Sequence, residues 1–267
     1  MDMDIWQRAA GPAAGGRRPA RKWIFMIIVF IILVAGVVIA ALYFSHPYRT
    51  GGVTVVRMEG TMVTGLADDG DSIGSEVVGN NLRAAADDPM TEAIVLRVNS
   101  PGGSPAAAEE IIRDLEYAKT KKPVVVSMGD MATSAAYYVS AHADRIYADP
   151  DTFTAGVGVI WRFSDISRWM ENEGYNTSVV ESGTMKDMGS DSRPMTAEEQ
   201  EYARQIVDES FEAFITDVTT QRVIARSDID DGRVIRGADA VKLNIVDELG
   251  NLNDAIDGAK RLAESRR

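Results

Sequence analysis

The sequence predicts an α/β domain, and two features of the chain beyond residue 52 carry this prediction. Short apolar runs typical of buried strands alternate with longer segments of helical composition. Turns containing Gly, Pro or Ser separate them, as in the loop at residues 100–104. Because strands that alternate with helices pack as layers with right-handed crossovers, we expect a layered α/β fold over this part of the chain.

The elements are predicted in a regular order. The strands are expected at residues 53–58, 93–98, 124–128, 145–148, 157–161 and 177–181. The helices are expected at residues 75–86, 105–119, from 135 onward, 164–173, 196–222, 237–243 and 252–263. We expect Ser75 to cap the first of these helices and Gly129 to end the third strand.

The N-terminal region predicts a membrane anchor. Residues 1–22 are rich in Gly, Pro and Arg and are predicted to be disordered, whereas residues 23–44 form an uncharged run of 22 residues. As a helix this run would span about 33 Å, enough to cross a bilayer core. The basic residues before it predict a cytoplasmic N-terminus and an extracytoplasmic remainder of the chain. A cleaved signal peptide is the alternative, although its apolar region is usually only about 7–15 residues long.

Composition excludes several function classes. The chain has no Cys and only two His, His46 and His142, so thiol chemistry and His-rich metal sites lack their residues, and no metal or cofactor is expected. Residues 1–50 carry a net charge of +4 and the remainder carries −16. That acidic remainder repels nucleic acid, which is therefore not expected as a partner.

The most informative stretch is residues 130–138, Asp-Met-Ala-Thr-Ser-Ala-Ala-Tyr-Tyr. An apolar strand precedes it and a helix is predicted after it, so Ser134 lies where the chain turns sharply. Unpaired N–H groups at a helix start can stabilise a developing oxyanion while a hydroxyl attacks a carbonyl. The alternative is that Thr133 or Ser134 only caps the helix.

A base for Ser134 is predicted by elimination. His142 lies eight residues further along the same helix, about 12 Å along its axis, and His46 lies in the predicted linker, so a Ser-His-Asp triad is not expected. Most lysines fall in the N-terminal flank, at a strand start or in the C-terminal helices. Only Lys186 follows the carboxyl end of a predicted strand, where sites of α/β sheets lie. A solvated loop lysine is the alternative.

The two glycines of the loop at residues 100–104 permit positive φ and a close approach of the backbone to a ligand. Gly103 or Gly102 could then present an N–H to a substrate oxyanion beside the Ser134 corner. An ordinary turn is the alternative.

Five motifs occur in one order along the chain. They are Asn-Ser-Pro-Gly-Gly-Ser at 99–104, the stretch 130–138, Ala-Asp-Arg-Ile-Tyr-Ala-Asp-Pro at 143–150, Thr-Ala-Gly-Val-Gly-Val at 154–159 and Ser-Gly-Thr-Met-Lys-Asp-Met-Gly at 182–189. Their order and spacing over roughly residues 53–262 resemble the signal peptide peptidase A family, membrane-anchored Ser-Lys peptidases of the ClpP/crotonase fold. The chain resembles the short, single-domain type of this family.

The resemblance implies a function and a site. It implies Ser134 as nucleophile, Lys186 as general base, and the N–H groups of Ala135 and of Gly103 or Gly102 as oxyanion donors. It also implies a substrate groove formed by Thr154, Ala155, Gly156 and Val157. The expected enzyme is a serine endopeptidase that cleaves remnant signal peptides or other membrane-associated peptides next to small or apolar side chains. It would work as a ring-shaped homo-oligomer.

The resemblance also implies an organisation. After the tail at 1–22 and the transmembrane helix at 23–44, a linker at 45–52 would lead to a domain over 53–267 with a repeated ββα spiral core. Two departures from the family pattern affect activity. Ala135-Ala136 stand where the family usually has Gly-Gly, and Ala155-Gly156-Val157 where it usually has Gly-Ser-Ile.

Two other functions remain open at this stage. A catalytically impaired, ring-forming scaffold or binding protein of the same fold would fit the departures. Crotonase-like acyl-CoA chemistry shares the fold, but it would leave Ser134 and Lys186 unexplained.

Overall fold

The computed structural model describes residues 20–45 and 48–266, with side chains for residues 23–37 and 50–266. The chain divides into two compact units, residues 1–46 and residues 47–267. Most of the predicted disordered tail at 1–22 lies outside the described residues, as do residues 46 and 47 of the predicted linker.

The first unit contains one described helix, α1 (Ala20–Ser45). Its large apolar side chains between Trp23 and Val37 are exposed. Taken over the described residues, no helix combines the length and the apolar character that a membrane span requires. The transmembrane helix at 23–44 therefore stays a prediction.

The second unit is an α/β domain, as the sequence predicts. Its strands are β1 (Tyr48–Thr50), β2 (Val53–Glu59), β3 (Thr61–Val63), β4 (Ser72–Gly74), β5 (Ala93–Ser100), β6 (Val124–Thr133), β7 (Arg145–Ala148), β8 (Phe153–Ala155), β9 (Val234–Arg236) and β10 (Glu248–Leu249). Its helices are α2 (Ser75–Asp87), α3 (Pro105–Lys119), α4 (Ala135–Ala141), α5 (Ser167–Asn172), α6 (Ala197–Gln221), α7 (Gly237–Ala240) and α8 (Leu252–Ser265).

The main sheet is mostly parallel, in the order β1-β2-β5-β6-β7-β10. Strand β1 pairs antiparallel with β2, so residues 48–50 of the predicted linker belong to the sheet. The long strand β6 pairs with β7 through its first half and with β8 through residues Met131–Thr133. The carboxyl ends of β5 and β6 therefore lie side by side, at the edge where sites of parallel sheets form.

Both faces of the sheet are covered, which is why the central strands β5 and β6 begin with long apolar runs. Leu96 of β5 and Val126 of β6 belong to the core that includes α2, α3 and α4. Their neighbours Val95 and Val125 belong to the opposite core, which includes α8. The alternation follows from the two-residue period of side chains along a strand.

Several predicted boundaries are wrong. Strand β6 continues through Gly129 to Thr133. A β-carbon on Gly129 would lie 3.1 Å from the side chain of Asn99, so this glycine permits a close approach within the strand. Helix α2 begins at Ser75 after Gly74, so Ser75 is not its cap, and its hydroxyl instead donates to Glu110.

Two predicted strands are absent. Residues 157–161 and 177–181 have strand-like composition but pair with no strand among the described residues. Val180, for example, is 99% exposed. Because a strand needs a hydrogen-bonding neighbour, apolar composition alone does not form one. The helix predicted at 164–173 shortens to α5, and the one predicted at 237–243 shortens to α7.

Candidate active site

Ser134 lies at the corner between β6, which ends at Thr133, and α4, which begins at Ala135. Its backbone has φ 55° and ψ −128°, outside the favoured regions for a residue with a side chain. The corner is fixed by two backbone bonds. Ser134 N–H donates to the carbonyl of Ala155 at 2.8 Å, and Tyr138 N–H donates to the carbonyl of Ser134 at 3.0 Å. Such strain persists only where surrounding contacts impose it, and it is concentrated at functional sites.

The side chains at this corner do not cap α4, so the capping alternative is wrong. The Ser134 hydroxyl makes no capping bond, and the Thr133 hydroxyl donates to the carbonyl of Pro101 at 3.1 Å. Ser134 is half-buried and lines a cavity of about 400 Å³. Its hydroxyl is therefore placed to react with a group that enters this cavity.

The loop after β5 approaches the Ser134 corner closely. Gly102 has φ 100°, and a β-carbon on it would lie 2.9 Å from both Ser134 Cβ and Ala135 N. Only glycine fits there without displacing one of the two chain segments. The close approach that the sequence predicts for the double glycine is therefore present, although the neighbour is the protein's own backbone.

The two glycines have different roles. Gly102 N–H donates to the hydroxyl of Ser100 at 3.1 Å and is thus already used. Gly103 lines the cavity together with Ser134 and Ala135, and no hydrogen bond from its N–H is found within the described residues. Between the two predicted donors, the geometry thus favours Gly103. Sequence reasoning missed Ser100, a fully buried serine at the end of a strand.

The segment around β8 packs against the end of β6 and contacts the Ser134 corner through Ala155. Thr154, Ala155 and Val157 are buried, and Gly156 is half-buried. The Thr154 hydroxyl donates to the carbonyl of Ala132 at 3.0 Å. The cavity is instead lined by residues 158–160 just downstream, whose backbone belongs to no strand. None of the four residues predicted to form the groove, 154–157, lines the cavity, so their role in substrate binding stays a prediction.

The full lining of the cavity combines apolar, hydroxyl and acidic groups. It consists of Gly103, Pro105, Glu109, Ser134, Ala135, Tyr138, Gly158, Val159, Ile160, Glu209, Ser210, Ala213 and Phe214. No Lys, Arg or His is among these described residues. The part of the cavity seen in a single chain therefore supplies a hydroxyl and N–H groups, but no nitrogen base.

Lys186 is not among the residues that line the cavity of its own chain. Its side chain is exposed, and its own N–H donates to the carbonyl of Gly183 at 2.8 Å. The pairing of Lys186 with Ser134 stays a prediction.

The residue after Lys186 is firmly held. Arg193 Nε donates to the Asp187 carboxylate at 2.8 Å, and the same guanidinium donates to Glu199 Oε1 at 2.6 Å. Glu199 also closes the capping box of α6 with Thr196. The hydrogen bond from Arg193 is the main reason that the pKa of Glu199 falls to about 2. In the sequence, Glu199 is only an acidic residue near the start of the helix predicted at 196–222, and its link to the loop of Lys186 requires the folded chain.

Two neighbouring aromatic hydroxyls are excluded as bases. The Tyr138 hydroxyl donates to Asp217 Oδ2 at 2.8 Å. Burial, followed by this hydrogen bond, raises the pKa of Tyr138 well above its usual value. Burial likewise raises the pKa of Tyr137. Both hydroxyls therefore stay protonated at neutral pH.

His142 is held away from the nucleophile. Its Nδ1 lies 3.1 Å from Glu116 Oε1 and its Nε2 lies 3.1 Å from Asp217 Oδ2, so both ring nitrogens are occupied. It does not line the cavity. Within the described residues, no group of three His, Cys, Asp or Glu side chains is arranged to hold a metal ion.

A family model described as "Peptidase family S49" matches residues 116–266, which is more than half of the chain. The chain belongs to peptidase family S49. The signal peptide peptidase A resemblance lies within this family. The chain is 33% identical over 218 residues to Protease 4 of Haemophilus influenzae, covering 80% of this chain and 35% of that protein. It is 29% identical over 219 residues to the chloroplastic serine protease SPPA of Arabidopsis thaliana, covering 80% of this chain and 32% of that protein.

The S49 chain spans between about one third and two thirds of the length of the first curated relatives it matches. Among solved structures it is similar to the 1510-N membrane-bound stomatin-specific protease, which was solved as a serine-to-alanine mutant. The TM-score is 0.52 at 15% identity, over 79% of this chain and 85% of that one. This similarity concerns the fold alone.

The two departures of this S49 chain from the motif pattern have different consequences. Ala135 and Ala136 lie in α4 without positive φ, so replacing Gly-Gly there imposes no backbone strain. Ala155 has φ 61°, a conformation that glycine adopts more readily. The strain therefore falls at the second departure.

Proposed function

We propose that this family S49 chain is a membrane-anchored serine endopeptidase with a Ser-Lys dyad, Ser134 and Lys186. The observation that carries the proposal is the strained corner at Ser134, whose uncommitted hydroxyl faces a cavity beside the N–H groups of Gly103 and Ala135. A strained turn that exposes a nucleophile next to oxyanion donors suits acyl transfer.

The proposed reaction begins with a neutral Lys186 amine, which accepts the hydroxyl proton while Ser134 Oγ attacks the scissile carbonyl carbon. The resulting oxyanion accepts hydrogen bonds from Gly103 N–H and Ala135 N–H. When the carbon–nitrogen bond breaks, the leaving amine takes the proton back from Lys186 and the acyl group remains on Ser134. Water then attacks the ester carbonyl and gives a proton to Lys186. As the bond between the acyl carbon and Ser134 Oγ breaks, Lys186 returns that proton to Oγ, which releases the acid and restores the hydroxyl and the neutral amine.

We propose that Lys186 reaches Ser134 of a neighbouring copy in a ring-shaped homo-oligomer. Two observations support this. Among the described residues, the cavity of one chain is lined by no nitrogen base, and Lys186 lies in an exposed segment. The same region exposes large apolar side chains, which indicate an interaction surface. They include Trp161, Trp169, Tyr175, Val179 and Val180.

The remaining parts of the proposal come from the sequence. The uncharged run at 23–44 would anchor the chain with its N-terminus in the cytoplasm and its peptidase domain outside. The substrates would be remnant signal peptides or other membrane-associated peptides. The fold would be the ClpP/crotonase-like ββα spiral, a finer class than the α/β architecture described above.

Hydrolysis of a quenched fluorescent peptide by the full-length chain in detergent tests the dyad. Ser134→Ala and Lys186→Ala should each abolish cleavage while the thermal unfolding temperature stays within about 3 °C of the parent's, because Ser134→Ala removes only a hydroxyl that makes no capping bond and Lys186 is exposed. Mixing the two inactive variants before assembly should restore part of the activity if each site uses two copies. Full activity of purified Lys186→Ala would refute the dyad.

The impaired scaffold is a second candidate, which the strained Ala155 and the separation of Lys186 from the cavity favour. A fluorophosphonate probe distinguishes the two candidates. If the probe labels the parent but not Ser134→Ala, Ser134 is an active nucleophile. If the parent is not labelled and cleaves no peptide in any of its oligomeric states, the protein is the scaffold.

A further inference from the structure

In a single chain, the cavity beside Ser134 carries negative charge that no described Lys or Arg compensates. Glu109 of α3 and Glu209 of α6 both line it. Neither carboxylate has a Lys or Arg partner within 4 Å among the described residues. The one hydrogen bond found for this pair comes from a neutral donor, the Gln205 amide, at 2.9 Å from Glu209 Oε1. Two carboxylates from different helices thus face one cavity with no cation beside them.

The remaining walls are apolar. The rings of Tyr138 and Phe214 pack with their centroids 4.7 Å apart, and both line the cavity together with Ala213 and Val159. The carboxylate of Glu109 is close enough to Tyr138 to contribute to the raised pKa of its hydroxyl. The acidic groups and the apolar walls therefore belong to the same space.

This combination matches one class of side chain. Lys and Arg carry a long apolar stem that can lie along Tyr138 and Phe214, and a cationic head that can reach a carboxylate. A volume of about 400 Å³ is large enough for either side chain. A purely aliphatic side chain would fill the apolar part but would remove water from the carboxylates without pairing them. An acidic side chain would be repelled.

We infer that the cavity selects a long cationic side chain at the substrate residue whose carbonyl Ser134 attacks. The inference rests on the proposed function and makes it more specific. It differs from the sequence expectation, which was for small or apolar side chains next to the scissile bond. Glu109 and Glu209 are then the residues that determine specificity.

Matched peptides test the inference with the full-length chain. One series differs only at the residue before the scissile bond, which is Lys, norleucine or Glu; norleucine keeps a straight stem but lacks the charge. Because partly exposed ion pairs contribute modestly, we expect kcat/KM for Lys to exceed that for norleucine by about three- to tenfold, with Glu the poorest. The Lys preference should shrink as salt rises from 0.05 to 0.5 M, about the range in which exposed charges become screened.

Variants locate the effect. In the double variant Glu109→Gln/Glu209→Gln, the ratio of Lys to norleucine should fall to about one. Glu201→Gln removes an exposed carboxylate of α6 outside the cavity and should leave the ratio as in the parent. Equal or better cleavage of the norleucine peptide by the parent, or an unchanged ratio in the double variant, would overturn the inference.

Binding separates this inference from the proposed chemistry. Fluorescence anisotropy with Ser134→Ala measures peptide affinity without hydrolysis, and the Lys peptide should bind more tightly than the norleucine peptide, again only while both carboxylates are present. If the parent cleaves norleucine and Lys peptides equally, the specificity is wrong and the peptidase stands. If no peptide is cleaved but the Lys preference persists in binding, the peptidase is wrong and the cationic site stands.

Discussion

The replacement Gly102→Ala tests how closely the glycine loop approaches the nucleophile. The new β-carbon would lie 2.8 Å from the carbonyl oxygen of Thr133 and 2.9 Å from both Ala135 N and Ser134 Cβ. The backbone at φ 100° is also unfavourable for alanine. Backbone strain of about 1–2 kcal/mol and overpacking of about 1–3 kcal/mol together predict a loss of about 2–5 kcal/mol in the free energy of unfolding.

The same replacement should also reduce catalysis. Relief of the contact must move the loop or the corner, and either movement displaces Gly103 N–H from the oxyanion. Loss of one oxyanion donor costs about 10²–10³ in kcat, so Gly102→Ala should be nearly inactive with KM less affected. The assay combines thermal unfolding followed by circular dichroism with peptide hydrolysis.

A matched control separates strain from contact. Gly70 has a similar φ of 89°, and a β-carbon there would meet no atom within 4 Å. Gly70→Ala should therefore show only the backbone component, about 1–2 kcal/mol, with activity retained. If Gly102→Ala loses no more stability and no more kcat than Gly70→Ala, the close approach of the two corners is refuted.

Three further predictions concern the supporting residues. Ala155→Gly relieves a positive φ at 61° and should raise the free energy of unfolding by up to about 1 kcal/mol in urea titrations; a loss would show that Ala155 is not strained. Asp217→Asn removes the anion that both Tyr138 and His142 contact, so it should lower the free energy of unfolding by about 2 kcal/mol. Tyr138→Phe removes only one of these contacts and should cost about 1 kcal/mol. Equal shifts in the thermal unfolding temperature of the two variants would contradict this hydrogen-bond network. Glu199 has a pKa lowered from 4.5 to about 2, so its contribution to stability is present above pH 4.5 and is lost as pH falls towards 2. Glu199→Gln should lack this pH-dependent contribution when unfolding is followed in acid, and it should cleave peptides more slowly. An acid unfolding curve like the parent's would count against the link between Glu199 and the Lys186 loop.

Sequence patterns predicted best where a local signal decides the structure. The helix at 105–119 has the predicted bounds because Ser104 caps it and Pro105 occupies its first position. The helix at 196–222 agrees within one residue at each end, because the Thr196 capping box marks its start. The strand at 145–148 also has the predicted bounds.

Prediction failed where the outcome depends on distant neighbours. Residues 177–181 have strand composition but no described strand beside them, and no local pattern reports a missing neighbour. Gly129 suggested a strand end, whereas it permits contact with Asn99 from the adjacent strand. The strand-to-helix order predicts the sharp turn at Ser134 but not its positive φ. In contrast, no sequence pattern predicts that Gly102 N–H donates a hydrogen bond to the Ser100 hydroxyl.

The cavity's charge was also invisible in sequence. Glu109 and Glu209 are 100 positions apart, on two helices that border the same cavity only in the folded domain. In the sequence, each of them is an ordinary glutamate of a predicted helix, typical of a solvent-exposed helical face. Only the fold brings them to one cavity beside Ser134, where they count against the expectation of small or apolar substrate side chains next to the scissile bond.

The proposed mechanism requires that the substrate acylates Ser134 and that Lys186 activates the Ser134 hydroxyl. The most direct test is rapid acid quench of the full-length chain with a peptide ester, followed by digestion and mass spectrometry. We predict an acyl adduct on the peptide that contains Ser134, formed at least about a hundredfold more slowly by Lys186→Ala. An adduct on any other residue would contradict acylation at Ser134. An adduct that forms on Ser134 at the same rate without Lys186 would contradict the role of Lys186 as the activating base.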